Sequence, residues 1–322
     1  NDRTCQRRLP GIDAICMWQR SIRGTKTTII QLNVTDLPVE ENVLKPCSNQ
    51  QCRQSSIWGA DTCWQHLTDI AAWREKLVKS ISQTLIQAGS NFTECDLSGL
   101  NLTGLKAQGC DFTGVCFDTS TVRSSNLRGS VLRKCFANNA DFSDSDLSET
   151  SSYGISGTKL IAANTNFNNS CFRYAYLPQA NLERSILTAS DWQGSNLSKS
   201  SLDNTRCIDW FAPHIDLSNS SMKYSDFRFA VLGGATMTQV DASKSNFQRA
   251  NLCGISGRNS SFSGADLYYV RFNAANLDDA DLSNTEITRT IFRTASLIGA
   301  NLYGSSKDKA IWDRTRLSIM GK

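Results

Sequence analysis

The sequence predicts an all-β solenoid: a quadrilateral parallel β-helix of about 11 coils, preceded by a small Cys/His module and a capping α-helix. Three observations carry this. A large apolar residue stands at 36 of the 46 positions met in steps of five from Phe92 to Leu317, in one unbroken frame. A small residue stands two positions before most of these centres. The first 90 residues do not repeat and hold a Cys/His cluster followed by an amphipathic stretch.

The centres are mostly Leu and Phe, as in Phe92, Leu97, Leu102, Phe112, Leu182, Phe227, Leu252 and Phe292. The frame weakens at Ser152, Gly157 and Ala162, and again at Gly257. Ser125, Ser130, Ala140, Ala180, Ala265 and Ala300 illustrate the small position. Large and small sites alternating two apart describe two layers of one interior. Between them stands a polar residue, often Asp or Asn, such as Asp141, Asn181 or Asp266. In extended backbone it points outward. A period of five suits neither the 3.6 of a helix nor a plain strand. It suits a coil that turns a corner every five residues and closes a square in about 20. Coils about 4.8 Å apart then give a rod roughly 55 Å long.

The tandem A(D/N)LXX units resemble the pentapeptide-repeat family. Ala180-Asn181-Leu182-Glu183-Arg184, Ala265-Asp266-Leu267, Ala275-Asn276-Leu277-Asp278-Asp279, Ala280-Asp281-Leu282-Ser283-Asn284 and Ala300-Asn301-Leu302 carry the resemblance, which covers residues 91–317. It implies a right-handed quadrilateral β-helix and little about function. Some relatives resemble B-form DNA and protect DNA gyrase from quinolones. Such mimicry needs a strongly negative face. No face here has one, so a DNA-mimic, topoisomerase-modulating role is the weaker alternative.

Two irregularities interrupt the repeat. Tyr153-Gly154-Ile155-Ser156-Gly157 recurs as Cys253-Gly254-Ile255-Ser256-Gly257. The paired glycines predict a duplicated structural kink, either a bulge or a turn at positive φ. The segment Arg206–His214 places Trp210 and Ile215 where small residues are usual, and Pro213 argues for a loop or a bulged corner. It reads as a locally repacked core, or as a partner-binding bump anchored by Trp210, Phe211 and His214. His214 has no neighbours arranged as a catalytic triad.

The chain divides into an irregular segment (1–45), a Cys/His module with its helix (46–90) and the repeat (91–322). Cys47-x4-Cys52-x10-Cys63-x2-His66 offers three thiolates and one imidazole, a set that satisfies tetrahedral zinc. With every ligand supplied by protein, such a site is closed and structural. Disulfides or buried thiols are the competing reading. Asp61 or Thr62 caps a predicted helix whose stripe is Leu67, Ile70, Trp73, Leu77, Ile81 and Leu85. Cys63 and His66 fall on its first turn, and Gly89 is the natural stop. The module would cover the open edge of the first coil. The stretch from Cys47 to Leu67 also resembles a small Cys/His module that precedes the repeats in some bacterial pentapeptide proteins. Cys5 and Cys16 have no readable partner, and Thr27–Val34 predicts one strand.

The formal charge is +4, from 34 Lys+Arg against 30 Asp+Glu. The most basic face carries Arg133, Lys134, Arg173, Arg271, Arg293 and Arg314. That is thin for nucleic acid, which is disfavoured as a partner. No apolar run is long enough to span a bilayer. Cys95, Cys110, Cys135 and Cys207 occupy interior positions without partners 20 residues away. Unpaired buried thiols predict the cytoplasm; a leader removed before Asn1 would instead predict a lumenal or periplasmic protein. The repeat supplies no acid–base pair, activated nucleophile or phosphate loop, so the chain does not read as an enzyme. It reads as an interaction scaffold for a protein partner, or else as a non-catalytic binding module of a larger enzyme, effector or complex. Trp312 and Leu317 at the last coil offer a surface for self-association.

Overall fold

The computed structural model describes residues 45–81 and 86–318, together with the backbone of a two-stranded antiparallel pair, Arg8–Leu9 with Ile12–Asp13. The strand expected at Thr27–Val34, Cys5, Cys16 and the Leu85 end of the helical stripe lie outside the described residues.

From Asn91 to Ile311 the backbone climbs as a ladder of parallel bridges, each joining residues 20 apart: Asp111 to Val131, Cys116 to Phe136, Thr121 to Asp141, Asn126 to Asp146. Four bridges per coil make the cross-section a quadrilateral. The ladder uses most backbone donors, as in Phe112 N to Val131 O at 2.7 Å and Val131 N to Cys110 O at 2.9 Å. The last coil carries a short 3-10 turn, Lys307–Lys309, and ends in a parallel strand pair, Ser296–Ile298 with Arg316–Ser318.

Every corner is a tight turn whose third residue has positive φ. Each fifth residue from Glu94 to Gly304 lies in the left-handed region. Glycine, Asn and Asp adopt that conformation at low cost, but Lys134, Tyr174, Phe229 and Tyr269 occupy it too, with φ between 53° and 62°. The ladder imposes it. The N–H of the left-handed residue donates to the next coil, as in Tyr174 N to Gln193 O at 3.0 Å. The preceding Asp or Asn locks the corner by accepting from the N–H two residues on, as Asp96 Oδ1 does from Ser98 at 2.9 Å and Asn181 Oδ1 from Glu183 at 3.0 Å. The repeat acid therefore holds the turn besides pointing outward.

The interior has the two expected layers. Aromatic centres stack along the axis, Phe172 on Trp192 at 4.4 Å and Phe272 on Phe292 at 5.3 Å. Buried serines of the small layer serve the ladder. Ser125 Oγ donates to Leu102 O at 3.2 Å and accepts from Leu105 N at 3.0 Å.

Both irregularities are exchanges of size between the layers. At Gly157 and Gly257 the centre gives up its side chain, and Ile155 and Ile255 fill the interior from the small position, each about 98–99% buried. A Cβ on Gly157 would lie 2.6 Å from Ala137 O. Bridges Phe136 to Ser156 and Thr236 to Ser256 keep their register, so no bulge forms. Gly154 and Gly254 are ordinary corners at φ 66° and 67°. Likewise the centre at 212 shrinks to Ala and Trp210 occupies the vacated volume. Pro213 makes no loop. It precedes left-handed His214 (φ 57°), the place a type II turn favours for proline.

The N-terminal module closes the first coil. The α-helix α1 spans Ile70–Ile81 and buries Trp73 and Leu77. Ile57, Trp73, Leu77 and Ile86 join the cluster headed by Phe92. Trp58 stacks over Phe92 at 5.9 Å, and Trp73 meets it edge-on at 6.4 Å. Trp73 Nε1 donates to Trp58 O at 2.7 Å, and Trp58 N donates to Asn91 O at 2.7 Å. Arg74 reaches over the edge to Asp96 Oδ2 at 3.2 Å and also to Ser98 O. No helix among the described residues is long and apolar enough to cross a membrane.

Candidate metal centre

A short hairpin presents the first two thiols. Pro46 bridges Ser55 antiparallel, and Cys47 N donates to Gln54 O at 2.9 Å. A turn at its tip, Cys52 N to Asn49 O at 2.9 Å, folds Cys52 back over Cys47. Ile57 N to Thr62 O at 2.9 Å closes a second turn through Gly59 at φ +71°, which delivers Cys63. Trp64–His66 then form a single 3-10 turn, with His66 N donating to Cys63 O at 3.1 Å.

This corrects the expected helix start. Cys63 and His66 do not ride on the first turn of α1. Leu67 is extended at ψ 120°, and α1 begins at Ile70. The cap is Asp69, whose Oδ1 accepts from Ala72 N at 2.9 Å, rather than Asp61 or Thr62. Thr68 and Asp69 bond locally more readily than they continue a helix, so the chain breaks there. Gly89, expected to stop the helix, already donates to Gly109 O at 3.1 Å and belongs to the solenoid.

The ligand atoms of Cys47, Cys52, Cys63 and His66 lie within 4.8 Å of one another. Cys52 Sγ is 3.7 Å from Cys63 Sγ. His66 Nδ1 is 3.6 Å from Cys47 Sγ and 3.2 Å from Cys63 Sγ. A regular tetrahedron built on Zn–S of about 2.3 Å and Zn–N of about 2.0–2.1 Å has edges of roughly 3.8 and 3.5 Å. The donor set and its spacing fit such an ion. Backbone N–H groups already point at the sulfurs: Cys63 N at Cys47 Sγ, 3.3 Å, and Gln54 N at Cys52 Sγ, 3.4 Å. That first donor pulls the Cys47 thiol down to about 6, whereas burial pushes Cys63 up. Cys47 and Cys63 are buried, Cys52 and His66 half-buried. All ten cysteines of the described residues are free thiols.

The residues considered for partner contact separate. Trp210 is fully buried, edge-on to Trp192 at 6.3 Å and tilted on Phe227 at 6.0 Å. It is core, and an anchor at 210 is excluded. Phe211 is half-buried beside it, and His214 is exposed with its ring over Gly234. Arg133, Lys134, Arg173, Arg271, Arg293 and Arg314 do share one side of the rod, but several are engaged. Arg133 Nε donates to Ser151 Oγ at 3.1 Å, and Arg173 faces Asp191 at 3.4 Å. Arg293 pairs with Asp313 at 2.9 Å. Lys134, Arg271 and Arg314 are exposed. Sorting faces by charge alone passed over four exposed aromatics beside Lys134: Phe136, Tyr153, Tyr174 and Tyr176. Sorting aromatics by the same 20-residue register finds them.

The family model "Pentapeptide repeats" matches residues 88–118, 123–151, 165–204, 237–273 and 275–306, more than half of the chain. No curated protein matches. Among solved structures, the chain is similar to HetL, a pentapeptide repeat protein involved in heterocyst differentiation regulation from the cyanobacterium Nostoc sp. strain PCC 7120. Identity is 22%, over 76% of this chain and 93% of HetL, with a TM-score of 0.24. Full-length QnrB1, a plasmid-mediated fluoroquinolone resistance protein, is 17% identical over 67% of this chain and 93% of its own, at TM-score 0.23. A pentapeptide repeat protein from the Arabidopsis thaliana thylakoid lumen is 21% identical over 41% of this chain and 71% of its own, at 0.17.

Proposed function

The chain belongs to the pentapeptide-repeat family, and from that premise we propose that it is a non-enzymatic interaction scaffold: a rigid rod of about 11 coils with a zinc-stabilised N-terminal cap. One observation carries the reading. The inward positions of the ladder are consumed by packing, and the outward positions vary freely on a frame that keeps its register from Asn91 to Asn301. Such a body presents side chains at fixed spacing and commits them to no chemistry of its own.

In this reading the chain from residue 46 up to the first coil, which Gly89 already joins, forms one module. Cys47, Cys52, Cys63 and His66 hold a structural zinc, which fixes the turns that carry Trp58 and Trp73 onto Phe92. The seven cysteines of the described residues outside this set are free thiols, which suits a reducing compartment such as the cytoplasm. Reconstitution tests the scaffold. Candidate partners captured with the intact chain are purified and recombined with it, and sedimentation should show a complex of defined stoichiometry. Failure of every recombined candidate to sediment with the chain would overturn the reading.

A further inference from the structure

Three consecutive coils present a surface unlike the rest of the rod. The segments 130–139, 150–159 and 170–179 form two adjoining faces and contain no Asp or Glu, in a chain with 30 of them. Bridges Val131 to Ser151 to Cys171 and Phe136 to Ser156 to Tyr176 stack them in register. Their charged residues are Arg133, Lys134, Lys159 and Arg173, all cationic. Phe136, Tyr153, Tyr174 and Tyr176 stand out from the same coils at 45–53% exposure. Tyr153 and Tyr174 meet edge-on at 5.5 Å across the shared corner, and Gly154 places no side chain between Lys134 and Tyr174.

We propose that this surface docks a short acidic, aromatic- or aliphatic-containing linear segment of a partner protein. The proposal rests on the scaffold reading and names the face and the chemistry. Charge complementarity sets the sign. Tyr and Arg presented on a rigid frame give contact area at low entropic cost, as at interface hot spots. Size sets the class. Three coils rise about 10 Å and cover a few hundred Å² at most, below the roughly 800 Å² per partner of a folded–folded interface. An extended segment of a few residues matches that height. A long polyanion has no track to follow: Asp111 and Asp118 border the patch on one side, and Asp191 on the other.

Selection of a random 12-residue peptide library on the intact chain tests this, followed by anisotropy titration of the strongest peptide. Enriched sequences should carry net negative charge together with apolar residues. Lys134→Glu and Tyr176→Ala, both at exposed positions, should each weaken the peptide tenfold or more. Lys244→Glu on another face should leave it unchanged, as should the melting curves of all three. Peptides without acidic bias, peptides indifferent to Lys134→Glu and Tyr176→Ala, or an empty selection would overturn the assignment. Tighter binding of a dT12 oligonucleotide with the same variant sensitivity would replace it by a single-strand site. In each case the reconstitution experiment judges the scaffold reading separately.

Discussion

Trp73→Ala removes the side chain that joins the Cys/His module to the rod. Trp73 is buried, packs edge-on against Trp64 at 5.5 Å and Phe92 at 6.4 Å, and donates to Trp58 O at 2.7 Å. Truncating a buried Trp costs about 3–5 kcal/mol. Leaving the Trp58 carbonyl without its donor adds about 1–3 kcal/mol where water does not reach it. A solenoid is stabilised by nearest neighbours, so the loss stays at the end where it is made. Local opening of the first coil should become easier by at least about 3 kcal/mol, which is over 100-fold in exchange rate. Hydrogen exchange read by mass spectrometry checks this. The amides of Phe92, Glu94 and Leu97, which donate to Asp111, Thr113 and Cys116, should lose protection. That of Phe227, donating to Asn246 at 2.7 Å far along the rod, should keep it. Uniform loss along the rod, or none at Phe92, would refute the capping argument.

Protein purified without added metal should hold about one zinc per chain by elemental analysis, and His66→Ala should weaken it by more than the roughly 10–100-fold that follows loss of an outer-shell contact; a metal-free wild type that ignores added zinc would sink the site. Gly157→Ala should cost about 1–3 kcal/mol in urea melts, because its Cβ meets Ala137 O at 2.6 Å. Gly154→Ala should stay within about 1 kcal/mol, because a left-handed Cβ costs about 1–2 kcal/mol and the stiffer unfolded chain returns part of it; equal effects would contradict the size-exchange account. Burial pushes the Cys207 thiol from 9.0 up to about 12. A raised thiol favours the fold below the unfolded value, and that advantage is lost as pH climbs through the folded one. Stability should therefore fall between about pH 9 and 12, by about 1.4 kcal/mol per unit at this one residue, and Cys207→Ser should flatten the decline. A thiol reagent at pH 8 should leave Cys95, Cys110, Cys135 and Cys207 unmodified until denaturant is added, and rapid native labelling of these four would contradict their burial.

The repeat was legible because it is local and reiterated. A five-residue period fixes which residue points in, and four periods place residues 20 apart in register, as the bridges from Asn91 to Ile311 show. The cluster of Cys47, Cys52, Cys63 and His66 that could hold a metal was legible because its chemistry lies in residue type and spacing, and the four atoms do converge. The helix start was misplaced because an apolar stripe runs through Leu67, while the break at Thr68–Asp69 is made by the Asp69 side chain, which accepts from Ala72 N three residues ahead.

Sequence alone thus determined the period, the two interior layers, the square cross-section and the four residues that gather at the N-terminal end. The tertiary structure decided the rest. It forced left-handed corners even on Tyr174 and Phe229, because inter-coil hydrogen bonds outweigh the preference of one residue. It converted Gly157, Gly257 and Ala212 from apparent defects into room for Ile155, Ile255 and Trp210, since a shared interior counts volume and not position. And it brought Phe136, Tyr153, Tyr174 and Tyr176 onto one acid-free surface, a neighbourhood defined only once successive coils are stacked.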